Sequence, residues 1–106
     1  MNIFGKDTNI EVSVSNNLIR IYGQVQNIAD YALIREKIVE MISNNFRDIK
    51  IVFEESNAVT SSIIGFLLKV TQKDKINIHV VAKNEDLYLL FEILGLIDIF
   101  KVTKSE

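Results

Sequence analysis

The chain has 106 residues, a length that fits one domain, 1–106, and leaves no room for two. It carries 12 Lys and Arg against 14 Asp and Glu, a net charge of −2, without the basic stripe of a nucleic-acid binder. Cysteine is absent, which excludes a disulfide framework, thiol catalysis and thiolate metal sites and fits a reducing compartment.

No apolar stretch reaches the roughly 18 residues of a membrane span, so direct membrane insertion is not expected. Met1–Asp7 lack the charged and apolar regions of a secretory signal, and a cytoplasmic location is expected. Ile10, Val12 and Val14 alternate with Glu11, Ser13 and Ser15, which predicts a strand. Asn16-Asn17 predicts a tight turn, because Asn tolerates positive φ. Leu18–Tyr22 returns as a second strand closed by Gly23, completing an N-terminal hairpin. Asp30 or Asn27 caps a helix to about Asn45, with Tyr31, Ile34, Ile38, Met41 and Ile42 as its apolar stripe. Ile49–Phe53 is a short apolar strand, followed by the polar loop Glu54-Glu55-Ser56-Asn57.

Ser61 or Thr60 caps the next helix, which runs to about Lys73 and is apolar almost all round, so heavy burial is expected. Ile76–Ala82 is another strand. Asn84 caps a last helix whose stripe is Leu87, Leu90, Phe91 and Leu94, and Gly95 stands where a C′ glycine belongs. Ile97–Val102 is a final strand or short helix, and Lys104-Ser105-Glu106 is expected to fray. The order ββαβαβα predicts an α/β fold: a mixed sheet with an antiparallel opening hairpin, parallel pairs after it, and helices mainly on one face.

Three segments together resemble the STAS family of anti-sigma factor antagonists. The first is Ile51-Val52-Phe53, a loop, and then Ala58 through Leu68, where family members read Asp-Ser-Ser-Gly-x-Gly before an apolar helix. The second is Leu87 through Phe100, similar to the family's closing helix, Gly-Leu and apolar-acidic-apolar-Phe run. The third is Gly23-Gln24-Val25-Gln26, where the family often has Gly-Glu-Leu-Asp. The resemblance implies a single STAS-like domain that binds a serine-kinase-type anti-sigma factor or related switch protein. It places the phosphorylatable serine at Ser61, with Ser62 and Thr60 as weaker candidates, and implies a metal-dependent serine phosphatase as a second partner. Thr60 stands in place of the usual Asp, Gln26 in place of an acid and Ile63 in place of a Gly. These departures favour the alternative, a non-phosphorylated STAS-like subunit of a larger assembly such as a lipid-transport ATPase complex.

Asn57, Thr60, Ser61, Ser62, Ile63 and Gln26 are the candidate partner-binding residues. Thr60-Ser61-Ser62 reads equally as a plain helix cap, and Ile63 as either core packing or an exposed apolar anchor beside Ser61. Glu54 and Glu55 lie close enough in sequence to oppose a phosphate there. As strand neighbours they would point to opposite faces, and they read as a solvated loop end rather than a catalytic pair. Tyr88, Leu89 and Ile93 fall outside the last helix's stripe, either packing under the chain end or forming an apolar patch. His79 has no second histidine at ligand spacing, so neither a metal nor a general-base role is expected. No GxGxxG, P-loop or Gly-x-Ser-x-Gly elbow occurs. That argues against a nucleotide-binding domain, and no cofactor and no enzymatic activity are expected.

Overall fold

The computed structural model describes residues 8–106, so the reading of Met1–Asp7 lies outside the described residues. The elements are β1 (Ile10–Ser15), β2 (Leu18–Gly23), α1 (Ile28–Ser43), β3 (Asp48–Phe53), α2 (Ser61–Gln72), β4 (Asn77–Ala82) and α3 (Glu85–Ile93). The strands lie in the order β1-β2-β3-β4, with β1 antiparallel to β2 and the two later pairs parallel. Asn16, at φ 54, turns the hairpin. Both crossovers, β2-α1-β3 and β3-α2-β4, join neighbouring strands in one direction of travel. Equal handedness then puts α1 and α2 on one face of the sheet.

The alternation along each strand decides which residues meet those helices. Ile19 and Ile21, Ile49, Ile51 and Phe53, and Ile78 and Val80 form the sheet side of the core. Ile34 and Ile38 of α1, Ile63 and Leu67 of α2, and Leu87 and Phe91 of α3 form the helix side. Each helix has an identifiable start. Asn27 accepts from the Asp30 N–H at 2.9 Å while the Asp30 carboxylate reaches back to the Asn27 N–H at 3.2 Å, a reciprocal capping box. Asn84 accepts from the Asp86 N–H at 2.8 Å. After α3, Gly95 at φ 71 lets its own N–H and that of Leu96 bond to the carbonyls of Glu92 and Phe91, ending the helix where the glycine predicts.

Asp30 does more than cap. Its side chain is fully buried, and its carboxylate also accepts the Asn9 N–H at 2.7 Å and the Gln26 N–H at 2.8 Å. One acid thus ties the segment leading into β1, the loop after β2 and the first turn of α1. Gly23 completes this corner. It sits at φ 93, and a Cβ there would lie 2.4 Å from the Asn9 carbonyl oxygen, so only glycine fits.

The chain end corrects two sequence expectations. Ile97–Lys101 forms hydrogen-bonded turns, neither the strand nor the short helix expected. Thr103 then bridges to Val81, and the Ala82 N–H donates to its carbonyl at 2.8 Å. Rather than fraying, the tail pairs along the free edge of β4 and sends the Glu106 side chain to the face of the sheet away from the helices. Glu106 accepts from Arg20 of β2 at 2.7 and 2.8 Å and pairs with Lys83 at 3.0 Å. Lys104 pairs with Glu85 and lies 4.8 Å from the centre of the Tyr88 ring. Glu54, read as a solvated loop residue, is the fourth member of this clasp, bonded to Arg20 and Lys83. The reason is position. Arg20, Val52, Glu54, Val81 and Lys83 share the helix-free face, where Val52 and Val81 are fully buried outside the main core.

Arg20 first, and Lys83 second, hold the Glu106 carboxyl down to about 2 from 4.5, and the same two cations lower Glu54. Both folded-state values lie below the unfolded ones, so the clasp contributes fully above pH 4.5 and is lost as the pH falls toward 2. The melting temperature of Glu106→Gln is therefore expected to fall modestly below that of the parent at neutral pH. Melts recorded down the acid range should show the gap closing between pH 4.5 and 2, and added salt should shrink it at any pH.

Candidate functional site

Because β2 and β3 run parallel side by side, the loops that follow them leave from the same edge of the sheet. That edge, outside the carboxyl ends of parallel strands, is where α/β sheets place binding residues. The two loops are stitched together. The Gln24 side-chain amide donates to the Glu55 carbonyl at 3.0 Å and accepts the Asn57 N–H at 3.0 Å. The fully buried Ser56 donates to the Gly23 carbonyl at 2.8 Å and accepts the Val25 N–H at 3.3 Å. Glu55 accepts the Gly23 N–H at 2.9 Å. Glu54 is turned into the clasp on the other face of the sheet. Glu54 is thus paired with two cations, whereas Glu55 is exposed and keeps its negative charge while accepting a single backbone N–H. Sequence reasoning did not single out Gln24 and Ser56, since short polar side chains in a loop carry no periodic signal.

The rim continues into α2. Thr60 is the N-cap: its hydroxyl accepts the Ile63 N–H at 3.3 Å and lies 2.9 Å from the Ser62 hydroxyl. Ser61, the first helical residue, is exposed, and its hydroxyl has no hydrogen-bond partner among the described residues. Ile63 is 1% exposed and packs in the core, which corrects its reading as a partner anchor. Its place two residues past Ser61 turns it to the opposite side of the helix, where burial stabilises the fold by about 2 kcal/mol. Gln26 and Asn57 are exposed on the joined loops.

The helix is less completely buried than its composition predicts. Ser61, Ser62, Gly65, Lys69 and Gln72 form one exposed stripe. Gly65 has open space where a Cβ would stand, so no packing demands a glycine there. A glycine inside an exposed helix costs up to about 1 kcal/mol relative to alanine. Its effect is to leave bare backbone one turn below Ser61.

An exposed apolar residue does stand at this end of the molecule, but it is Ile28. The helices α1 and α2 run in the same direction, and Tyr31 and Phe66 touch edge to face with ring centres 6.4 Å apart. Ile28 and Ser62 each stand one turn nearer the N-terminus than these rings, so both lie at the same end of the helical layer. Ile28 is 84% exposed. The sequence does carry its signal: Ile28 falls outside the Tyr31, Ile34, Ile38 and Met41 stripe, in line with exposed Ala32, Arg35 and Val39. On α3, Tyr88 packs under the chain end as one of the two readings had it, while Leu89 and Ile93 are exposed. Among the described residues no three His, Cys, Asp or Glu side chains group as metal ligands. No helix of these residues is long and apolar enough to cross a membrane.

The sequence matches no protein-family model and no curated protein. Solved structures do resemble it. The crystal structure of an anti-sigma factor antagonist from Mycobacterium paratuberculosis superposes with a TM-score of 0.68 over 91% of this chain and 85% of that one, at 13% identity. The NMR structure of the protein TM1081 gives a TM-score of 0.67 over 89% and 79% of the two chains, also at 13% identity. The likeness establishes the fold.

Three substitutions on α2 separate its structural and exposed residues. Urea unfolding should show Thr60→Ala losing about 1 kcal/mol with its cap. Ser61→Ala should stay within about 0.5 kcal/mol of the parent, and Gly65→Ala should gain about 0.5–1 kcal/mol, because nothing obstructs the added methyl.

Proposed function

We propose that this chain, whose fold is STAS-like, is a protein-binding regulatory module and not an enzyme. Its partner is an anti-sigma factor kinase or a related switch protein. The observation that carries the reading is the free, exposed Ser61 hydroxyl at the first position of a helix whose opposite side is sunk in the core. Ser62, Asn57 and Gln26 at the same edge of the sheet, and Ile28 at the start of α1, offer side chains to a partner, and Gly65 lets that partner approach backbone. The binding surface combines hydrogen-bonding groups with one exposed aliphatic residue, and its loops are already held by Gln24 and Ser56. A preordered surface loses little freedom on binding.

Phosphorylation of Ser61 is the proposed control. It would add about −1.5 to −2 charges beside the free N–H groups and positive dipole end of α2, which accommodate an anion. The first turn of α2 holds no acid to repel it. The fold survives the modification, while the partner meets new charge and bulk, and this local change switches the interface. A metal-dependent serine phosphatase would reverse it. The same lack of an acid beside Ser61, with Thr60 as the cap, also supports a second reading: a constitutive STAS-like subunit of a larger assembly, such as a lipid-transport ATPase complex.

Two measurements decide between them. Intact-mass analysis of the protein from its native cells should show one phosphate, localised to Ser61 and absent from Ser61→Ala. Affinity capture should retain a serine-kinase-type switch protein with the parent and lose it with Ser61→Asp, at nearly unchanged melting temperature. Capture of a transporter ATPase with no phosphate at Ser61 would establish the second reading, and loss of nothing on Ser61→Asp would remove Ser61 from the interface.

A further inference from the structure

The helix-free face of the sheet carries a second cluster at its other end, where β3 and β4 begin. Lys50 and His79 are register partners on these neighbouring strands and share that face. The segment after α3 joins the free edge of β4 and brings Lys101 alongside. With Asn17, Asp48 and Asn77 these residues line a cleft of about 270 Å³. The Lys50 ammonium has neither a hydrogen bond nor an ion pair among the described residues. Asp48, the acid of the cleft, is engaged by the Asn77 amide at 2.8 Å, and the Asn77 carbonyl oxygen accepts from Lys101 at 2.8 Å. One carboxylate thus faces two lysines, and the cleft carries excess positive charge.

The hydrogen bonds also assign the proton on His79. Thr103 donates its single hydroxyl proton to the Ser105 carbonyl at 3.1 Å, so it accepts from His79 Nε2–H at 3.3 Å. The neutral ring therefore has a free lone pair on Nδ1, and protonation turns that atom into a donor. We propose that this cleft binds a small tetrahedral oxyanion of the phosphate or sulfate kind, held by Lys50 and Lys101 and by His79 Nδ1–H when the ring is protonated. Desolvation, then Lys50 and Lys101, lower the pKa of His79 in the free protein. An anion bound among the three groups reverses the effect of the two lysines, so binding takes up a proton. Asp48 on β3 and, farther along the face, Glu11 on β1 and the Arg20, Glu54, Lys83 and Glu106 clasp are the other charged groups that the strands and tail present there, and the clasp is internally paired. The site lies at the end of the sheet remote from Ser61, so it stands or falls independently of the switch.

NMR titration of the His79 ring with sodium sulfate, whose charge is constant across neutral pH, tests the proposal against sodium chloride at matched ionic strength. The expected result is a saturable shift with sulfate alone, a raised His79 pKa in its presence, and tighter binding as the pH falls through that pKa. Lys50→Gln and Lys101→Gln should each weaken binding at least about tenfold, the scale of one charge-assisted hydrogen bond. His79→Gln should keep weak binding and lose its pH dependence. Parallel titrations with inorganic phosphate and glycerol phosphate tell a free ion from an esterified one by which saturates first. A response equal to that of chloride, or an affinity unchanged in Lys50→Gln, would overturn the assignment.

Discussion

The buried carboxylate of Asp30 is the constraint on which the arrangement depends. It accepts backbone N–H groups from Asn9, Gln26 and Asn27, three donors from two separate stretches of chain. The carboxylate itself is fully buried, and leaving it unsatisfied would cost on the order of 1–3 kcal/mol or more, so the three contacts hold together. The consequence is geometrical. The start of β1, the loop after β2 and the first turn of α1 become one corner, and Gly23 is the only residue type that fits the close approach this corner demands.

From that corner the order spreads to the candidate rim. Gln24 and Ser56 couple the first βα loop to the second, and the second delivers Thr60 to the start of α2. Thr60 supplies the cap, which leaves Ser61 with no structural duty. Ile63, Phe66, Leu67 and Val70 hold the helix down by its other side. Stability and accessibility are thus divided between neighbouring residues. Gly65 follows the same division: it weakens the helix slightly and opens its surface. The clasp of Arg20, Glu54, Lys83 and Glu106 does comparable work on the opposite face, where it covers Val52 and Val81.

Most of the fold was legible in the sequence, because its signals are local. Period-two alternation in Ile10–Val14, helical spacing in Tyr31–Ile42, the Asn84 cap and Gly95 each report a conformation that one short segment imposes on itself. The resemblance to antagonists of anti-sigma factors pointed to the same architecture. What was not legible depends on pairs far apart in the chain. Glu54 reads as loop until Arg20, Lys83 and Glu106 are brought to it, and the tail reads as frayed for the same reason. Ile63 beside a serine pair is open to two readings, since consecutive isoleucines in the first turn of a helix do not reveal which one turns inward. Ile28 gives only a faint signal, as a single apolar residue lying off the buried stripe of its helix.

The claim that one carboxylate organises the rim is tested most directly by backbone amide hydrogen exchange on the parent and on Asp30→Ala. In the parent, the amides of Asn9, Gln26 and Asn27 should be protected well above loop values, with Val25 and Asn57 protected alongside them. In Asp30→Ala these amides should all lose protection together, while Ile51 in the central strand stays slow. Rapid exchange of the three donors in the parent, or a pattern unmoved by the substitution, would contradict the account.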